Sequence, residues 1–289
     1  MLRSSKAICA GLLLALSGMP ALAQDDPAAQ DRDGEPVIAL MGTIPIYWGE
    51  AAGFDELLSG TAPAHWAREV LERRAELAPL DYLSEDALAP HRYLLLAQPR
   101  GLSGEENVAL DSWVREGGRL LLFADPWMTG ESRFHIGDRR RPQDVALLSP
   151  ILTHWGLDLE EYNHALGGGL HNIDHDGQML PIDSSGTFRL LAGDGGCQLE
   201  LSGLLADCRI DQGQVLIMAD AAILDAAGPY PHAESGLESL LARIFPQMRE
   251  NTGIHAESPE VTGGNDGNPP EFVSEAAHWH GANGENPPQ

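Results

Sequence analysis

Lysine is nearly missing from this chain: Lys6 is the only one in 289 residues, so arginine supplies almost all the positive charge. Cations as a whole are scarce, with 18 Lys and Arg against 43 Asp and Glu and a formal charge of −25. That balance excludes nucleic acid and anionic membrane surfaces as natural partners, because both need a basic face. Cysteine is rare too, at three residues, too few for a zinc-ribbon framework. No Gly-x-Ser-x-Gly elbow occurs, which removes the common serine-hydrolase signature. No Gly-rich phosphate loop ending in Lys occurs either, and Gly167-Gly168-Gly169 lacks both the lysine and the strand-to-helix context. Beyond the first two dozen residues no apolar run approaches the length of a membrane helix.

The N-terminus carries an address. Arg3 and Lys6 precede an apolar stretch from Ala7 to Leu16, and Ala21-Leu22-Ala23 is a small-x-small cleavage site. This pattern predicts a secretory signal peptide over 1–23, cleaved after Ala23, and hence a periplasmic or secreted protein. Cleavage leaves 16 basic against 43 acidic residues, a formal charge of −27. Residues 24–35 are acidic and rich in Pro, Ala and Gly, as in a disordered linker. Residues 251–289 are rich in Gly, Asn, Pro and Glu and read as a disordered acidic tail.

The middle of the chain has the pattern of an α/β domain. Gly117-Gly118-Arg119-Leu120-Leu121-Leu122-Phe123-Ala124-Asp125 and Gly213-Gln214-Val215-Leu216-Ile217-Met218-Ala219-Asp220 are each a glycine, an unbroken apolar run and an Ala-Asp exit. An unbroken run marks a strand buried on both faces, as in a parallel sheet covered by helices. Val37–Met41, Leu80–Leu83 and Tyr93–Ala97 are further strands. Helices are predicted over 64–77, from Ser103 to about Glu116 behind a Ser103–Glu106 capping box, over 146–155 and over 235–249. Residues 157–211, rich in Gly, Asp and short alternating runs, read as an antiparallel insertion. Within it Cys197 and Cys208 flank a hairpin with its turn near Ser202-Gly203, a disulfide in an oxidising compartment or two buried thiols in a reducing one.

The loop Ile44-Pro45-Ile46-Tyr47-Trp48-Gly49-Glu50, the unit Trp113-Val114-Arg115-Glu116-Gly117-Gly118 with its strand to Asp125-Pro126, and the closing strand through Asp220 to Asp225 resemble the GldG-like "uncharacterised ABC-type transport system" domain, over residues 36–250. That domain is similar in fold to class I glutamine amidotransferases. The resemblance implies a flavodoxin-like, mostly parallel sheet flanked by helices. It also implies an accessory role beside a membrane complex, with transporter subunits as partners and no cofactor. Amidotransferase activity would need a cysteine on a sharp strand-to-helix turn. The strand Tyr93–Ala97 exits instead into Gln98-Pro99-Arg100-Gly101.

In such sheets ligands bind beyond the carboxyl ends of the strands. The residues placed there are Trp48, Glu50, Gln98, Asp125, Trp127, Asp220 and His232. The carboxylates could bind a small polar ligand such as a sugar against Trp48 and Trp127, as in a periplasmic carbohydrate-binding protein or hydrolase. They could serve as a general acid and base, or simply cap the turns that follow their strands. His171 and His175, with Asp174 and Asp176 between Gly169 and Gly177, read as a polar loop with the donor types of a transition-metal site. His278-Trp279-His280 offers a second such pair. Arg133 and Arg139-Arg140-Arg141 form the one basic cluster, suited to neutralising nearby acids or meeting an anionic partner.

Overall fold

The computed structural model describes residues 36–51, 53–192, 196–246 and 248. The expected leader, linker and tail, and with them His278 and His280, lie outside the described residues. Among the described residues no helix is long and apolar enough to cross a membrane.

Seven strands form the central sheet. β1 (Val37–Gly42), β2 (Glu76–Pro79), β3 (Tyr93–Ala97), β4 (Arg119–Phe123) and β11 (Gly213–Met218) run parallel in the order β2-β1-β3-β4-β11. β10 (Leu205–Ile210) and β9 (Cys197–Glu200) continue it antiparallel beyond β11. The unbroken apolar runs have the cause inferred for them. Successive side chains of a strand point to opposite faces, and in β4 Leu121 and Phe123 enter one core layer while Leu120 and Leu122 enter the other. All four are fully buried, each worth about 1.5–3 kcal/mol against leaving it in water.

Helices cover both faces. α2 (Trp66–Glu72) and α6 (Ala233–Ile244) pack on the first layer, α4 (Gly104–Arg115) and α5 (Ser149–His154) on the second. α1 (Phe54–Ser59) and α3 (Glu85–Leu88) are short. The capping box is present at α4: Ser103 Oγ accepts from the Glu106 amide at 3.2 Å and Glu106 Oε2 from the Ser103 amide at 2.8 Å. Glu106 is buried, which raises its pKa, but the Arg100 guanidinium and backbone donors outweigh burial and hold it at about 2.

Several expected boundaries move. The helix expected over 64–77 ends at Glu72, because Leu77 pairs with Ile38 in β2. That pairing also shifts the strand expected at Leu80–Leu83 back to Glu76–Pro79. The helix expected from Ala146 begins only at Ser149: the Ala146 amide donates to Asp125 O, and Pro150 starts the helix instead of interrupting it. The last helix spans Ala233–Ile244.

The antiparallel region divides. β5 (Leu157–Glu160) pairs with β8 (Thr187–Leu190), and β6 (Leu170–His175) with β7 (Gln178–Asp183), in two small ribbons. β9 and β10 belong to the main sheet, because β10 pairs with β11 over six residues. Cys197 and Cys208 face each other across β9 and β10 and are joined by a disulfide, with Cα atoms 3.9 Å apart. The bridge closes a short chain segment of sequence separation 11. Cys197→Ala with Cys208→Ala should therefore lower the unfolding free energy by about 2 kcal/mol. Urea melts of the oxidised protein and the double variant measure this, and coincident curves would show that the bridge adds nothing.

Candidate functional site

The loops leaving β1, β3, β4 and β11 lie side by side along the carboxyl edge of the sheet, since these strands are neighbours in that order. Gln98 stands at the exit of β3. It is fully buried, and its φ of 48° is in the left-handed region that a side-chain-bearing residue seldom enters. Its amide is fully engaged. Nε2 donates to Asp125 O at 2.8 Å and to Gln143 O at 2.9 Å, and Oε1 accepts from the Asp125 amide at 2.8 Å. Thr43 Oγ1 donates to Gln98 O at 2.5 Å and accepts from the Gln143 amide at 2.8 Å. One side chain thus ties together the exits of β3 and β4 and the far end of the loop that follows β4.

Asp125 and Asp220 leave β4 and β11, and both are buried. All four carboxylate oxygens accept from backbone amides. Asp125 accepts from Trp127 at 2.8 Å and Ala221 at 3.0 Å, and Asp220 from Ala222 at 2.7 Å and Asp183 at 2.9 Å. Each therefore holds its own turn and one distant segment. Burial pushes Asp125 up to about 6, against the pull of its two backbone donors. Asp220 is raised well above the ordinary range, by burial first and by the charge of Asp125 second. These are shielded clamps, closed to a ligand in this conformation.

Glu50 is also consumed. Its Oε1 accepts from Ser132 Oγ at 2.5 Å and its Oε2 from the Arg133 amide at 2.9 Å, which joins the loop after β1 to the loop after β4. Trp48 and Trp127 are 58% and 62% exposed, so both rings are open to a partner. Trp48 is pre-positioned: its ring meets that of Tyr47 edge-on with centroids 4.6 Å apart, and the Arg68 guanidinium lies 4.6 Å from the Tyr47 centroid. His232 is an exposed residue with φ of 72° at the start of α6, and its carbonyl accepts from Gly236.

The segment from His171 to Asp176, expected to be a loop, lies mostly in strand β6. The flanking glycines end the strand; they do not prevent it. A separation of four residues along a strand spans about 13 Å, so His171 and His175 do not share a ligand position. His171 Nδ1 lies 2.7 Å from Gly169 O, and His175 Nε2 lies 2.8 Å from Glu200 Oε2 in a network with Arg243 and Asp207. Among the described residues no group of three or more His, Cys, Asp or Glu is arranged to hold a metal ion. The arginine cluster is largely answered by its own acids: Arg133 by Glu56, Arg140 by Asp138 and Arg141 by Asp144, with Arg139 left exposed.

The edge also uses residues that the sequence pattern did not single out. Asp225 accepts from Tyr230 Oη at 2.7 Å and from the Ala227 amide. Buried His65 accepts from the Ala67 amide at Nδ1 and faces Leu224 O with Nε2 at 3.1 Å, so the ring is the neutral Nε2–H tautomer. Burial lowers its pKa. Asp183 closes β7 in Asp-Ser-Ser-Gly, a strand exit followed by turn formers, and that signal could have flagged it.

No family model and no curated protein matches the chain. Among solved structures, the exo-beta-1,4-mannosidase Op5Man5 from Opitutaceae bacterium strain TAV5 is similar at 15% identity, over 73% of this chain and 34% of its own, with a TM-score of 0.36. A beta-galactosidase from Rahnella sp. R3 is similar at 12% identity, over 75% of this chain and 32% of its own, with a TM-score of 0.41. The mmIFT52 N-terminal domain is similar at 11% identity, over 72% of this chain and 96% of its own, with a TM-score of 0.45. The chain thus spans about a third of the length of the two glycosidases, and likenesses this remote assign no activity.

Proposed function

We propose that this chain is an exported, non-catalytic accessory protein that binds a partner in an envelope membrane complex, such as an ABC-type transport system. We read its sheet as a flavodoxin-like winding of the GldG-like, amidotransferase-like type. The order β2-β1-β3-β4-β11 supports the winding, because it places the first strand between the second and third. The observation that carries the functional reading is Gln98. At the β3 exit, where an amidotransferase would present its nucleophile, stands a buried amide whose polar atoms are spent on the backbone at 125 and 143. Glu50, Asp125 and Asp220 are likewise spent on holding loops, so the edge is built as a rigid platform. The reading as a carbohydrate-binding protein or hydrolase keeps one observation in its favour, the exposed rings of Trp48 and Trp127.

Affinity capture of the full chain from crosslinked envelopes of its own host, read by mass spectrometry, tests the proposal. The expected result is recovery of subunits of one membrane complex above a tag-only control. Recovery of the protein alone across several crosslinkers, together with saccharide binding on a glycan array, would transfer the assignment to the carbohydrate reading.

A further inference from the structure

The amino-terminal edge of the main sheet, opposite Gln98 and Asp125, holds two guanidinium groups that no acid among the described residues answers. Most described arginines are paired with an acid, as acids outnumber bases 43 to 18 in the chain. Arg119 and Arg209 are not, and they are neighbours. Arg119 opens β4 opposite Gln214 of β11, and Gln214 stands opposite Arg209 of β10. Residues paired across neighbouring strands share a face, so the three side chains form one row. The usual strand spacing puts the two arginines about 10 Å apart at their Cα atoms. Arg119 is half-buried, and its Nη1 donates to Gln214 Oε1 at 3.1 Å and to Ile244 O at 2.9 Å. Both acceptors are neutral, and Nε and Nη2 have no partner among the described residues. Arg209 is exposed, with no side-chain bond among them.

The acid closest to hand is already spent. Asp207 accepts from Arg243 Nη2 at 2.7 Å and from Gln214 Nε2 at 3.0 Å. Gln214 is thereby fixed at both ends of its amide, and it orients Arg119 in turn. Arg92 precedes β3, and its carbonyl accepts from the Arg119 amide, which brings a third positive charge beside the row. Burial first, then the charge of Arg92 and further that of Arg209, lower the Arg119 pKa. We propose that Arg119 and Arg209 bind a phosphoryl group, as inorganic phosphate or as the monoester of a small soluble molecule. This site goes beyond the accessory reading and does not depend on it. A phosphoryl dianion matches two guanidinium groups, and its oxygens accept the paired N–H donors of each. One carboxylate would be matched by a single arginine. Nucleic acid and anionic bilayers also carry phosphate, but they would meet the charge of −25 on the whole chain.

Calorimetric titration of the full chain with inorganic phosphate at low ionic strength tests the site. The expected result is saturable binding of one phosphate per chain, with a matching rise in Tm. Arg209→Gln should weaken Kd at least about tenfold at unchanged Tm of the free protein. Arg139→Gln, which removes an exposed arginine elsewhere, should leave Kd unchanged. Arg119→Gln should abolish binding; Arg209→Gln keeps the test decisive if that variant fails to fold. Glycerol phosphate should bind with the same dependence on Arg209. No saturable binding at millimolar phosphate, or equal Kd for Arg209→Gln and the unmodified chain, would overturn the site. Acetate binding as tightly as phosphate would overturn the phosphoryl assignment. Capture on vesicles of phosphatidic acid in phosphatidylcholine, with no response to either soluble phosphate, would overturn the soluble ligand in favour of a lipid headgroup.

Discussion

Gln98→Ala should lower the unfolding free energy by about 3–5 kcal/mol, the largest single-residue effect expected at the sheet edge. The substitution removes three hydrogen bonds at once. It leaves the Asp125 amide and the Gln143 carbonyl without their partner, while Asp125 O keeps the Ala146 amide, and each unsatisfied buried group costs about 1–3 kcal/mol. A cavity adds to the loss. The left-handed backbone at 98 strains alanine as it strains glutamine, so it gives no relief. Urea denaturation with an unchanged m-value measures the effect. A loss below about 1 kcal/mol would mean that the three loops are held by other means and that Gln98 is not their brace. Gln98→Glu sharpens the test: it keeps the size but loses the donor to Asp125 O and Gln143 O, so it should be nearly as damaging at neutral pH.

Stability should rise as pH falls from about 7.5 towards 5, the reverse of ordinary acid denaturation. Asp125 is held at about 6 by burial, and Asp220 is raised by burial and by Asp125. An unfolded aspartate titrates near 3.9. Between about pH 4 and 6 the folded chain therefore binds more protons than the unfolded one. The contribution is fully present below about 4 and lost above about 6. For Asp125 the shift of roughly two units corresponds to about 3 kcal/mol at most, and the titration belongs to the pair. His65 works the other way, because burial lowers its pKa and its contribution is lost as pH falls below about 6.5. Below about pH 4.5 Glu106 and Glu200, both held near 2, withdraw their support. The Arg243 hydrogen bonds are the main cause at Glu200. The expected profile is a maximum near pH 5, and Asp125→Asn should remove at least half of the gain between 7.5 and 5. Equal slopes for the two proteins would place the proton elsewhere.

The legible parts of this fold are those whose cause is local. The runs Tyr93–Ala97 of β3 and Leu120–Phe123 of β4 are apolar at every position because both faces are covered, and the capping box of α4 is complete within four residues. β2 was displaced because Leu77 suits a helical stripe as well as a strand, and only the pairing with Ile38 decides between them. The Cys197–Cys208 hairpin was legible as a hairpin. Its place in the main sheet was not, since alternation does not name a neighbour. At the site, strand-exit logic found Gln98, Asp125 and Asp220. Their work as clamps depends on amides at 183 and 221 that the chain brings in from far away. The left-handed backbone at Gln98 has no sequence signal at all.

The two borders of the main sheet suggest how such a protein stays discrete at high concentration. β2 is four residues long and ends in Pro79, which has no amide to donate, and β9 is four residues long and cross-linked to its inner neighbour. Neither offers the long, regular row of free donors and acceptors that templates fibril growth or strand exchange between molecules. Lateral growth of the sheet is blocked at both ends, so two such molecules can meet through loops and side chains but not through a shared strand.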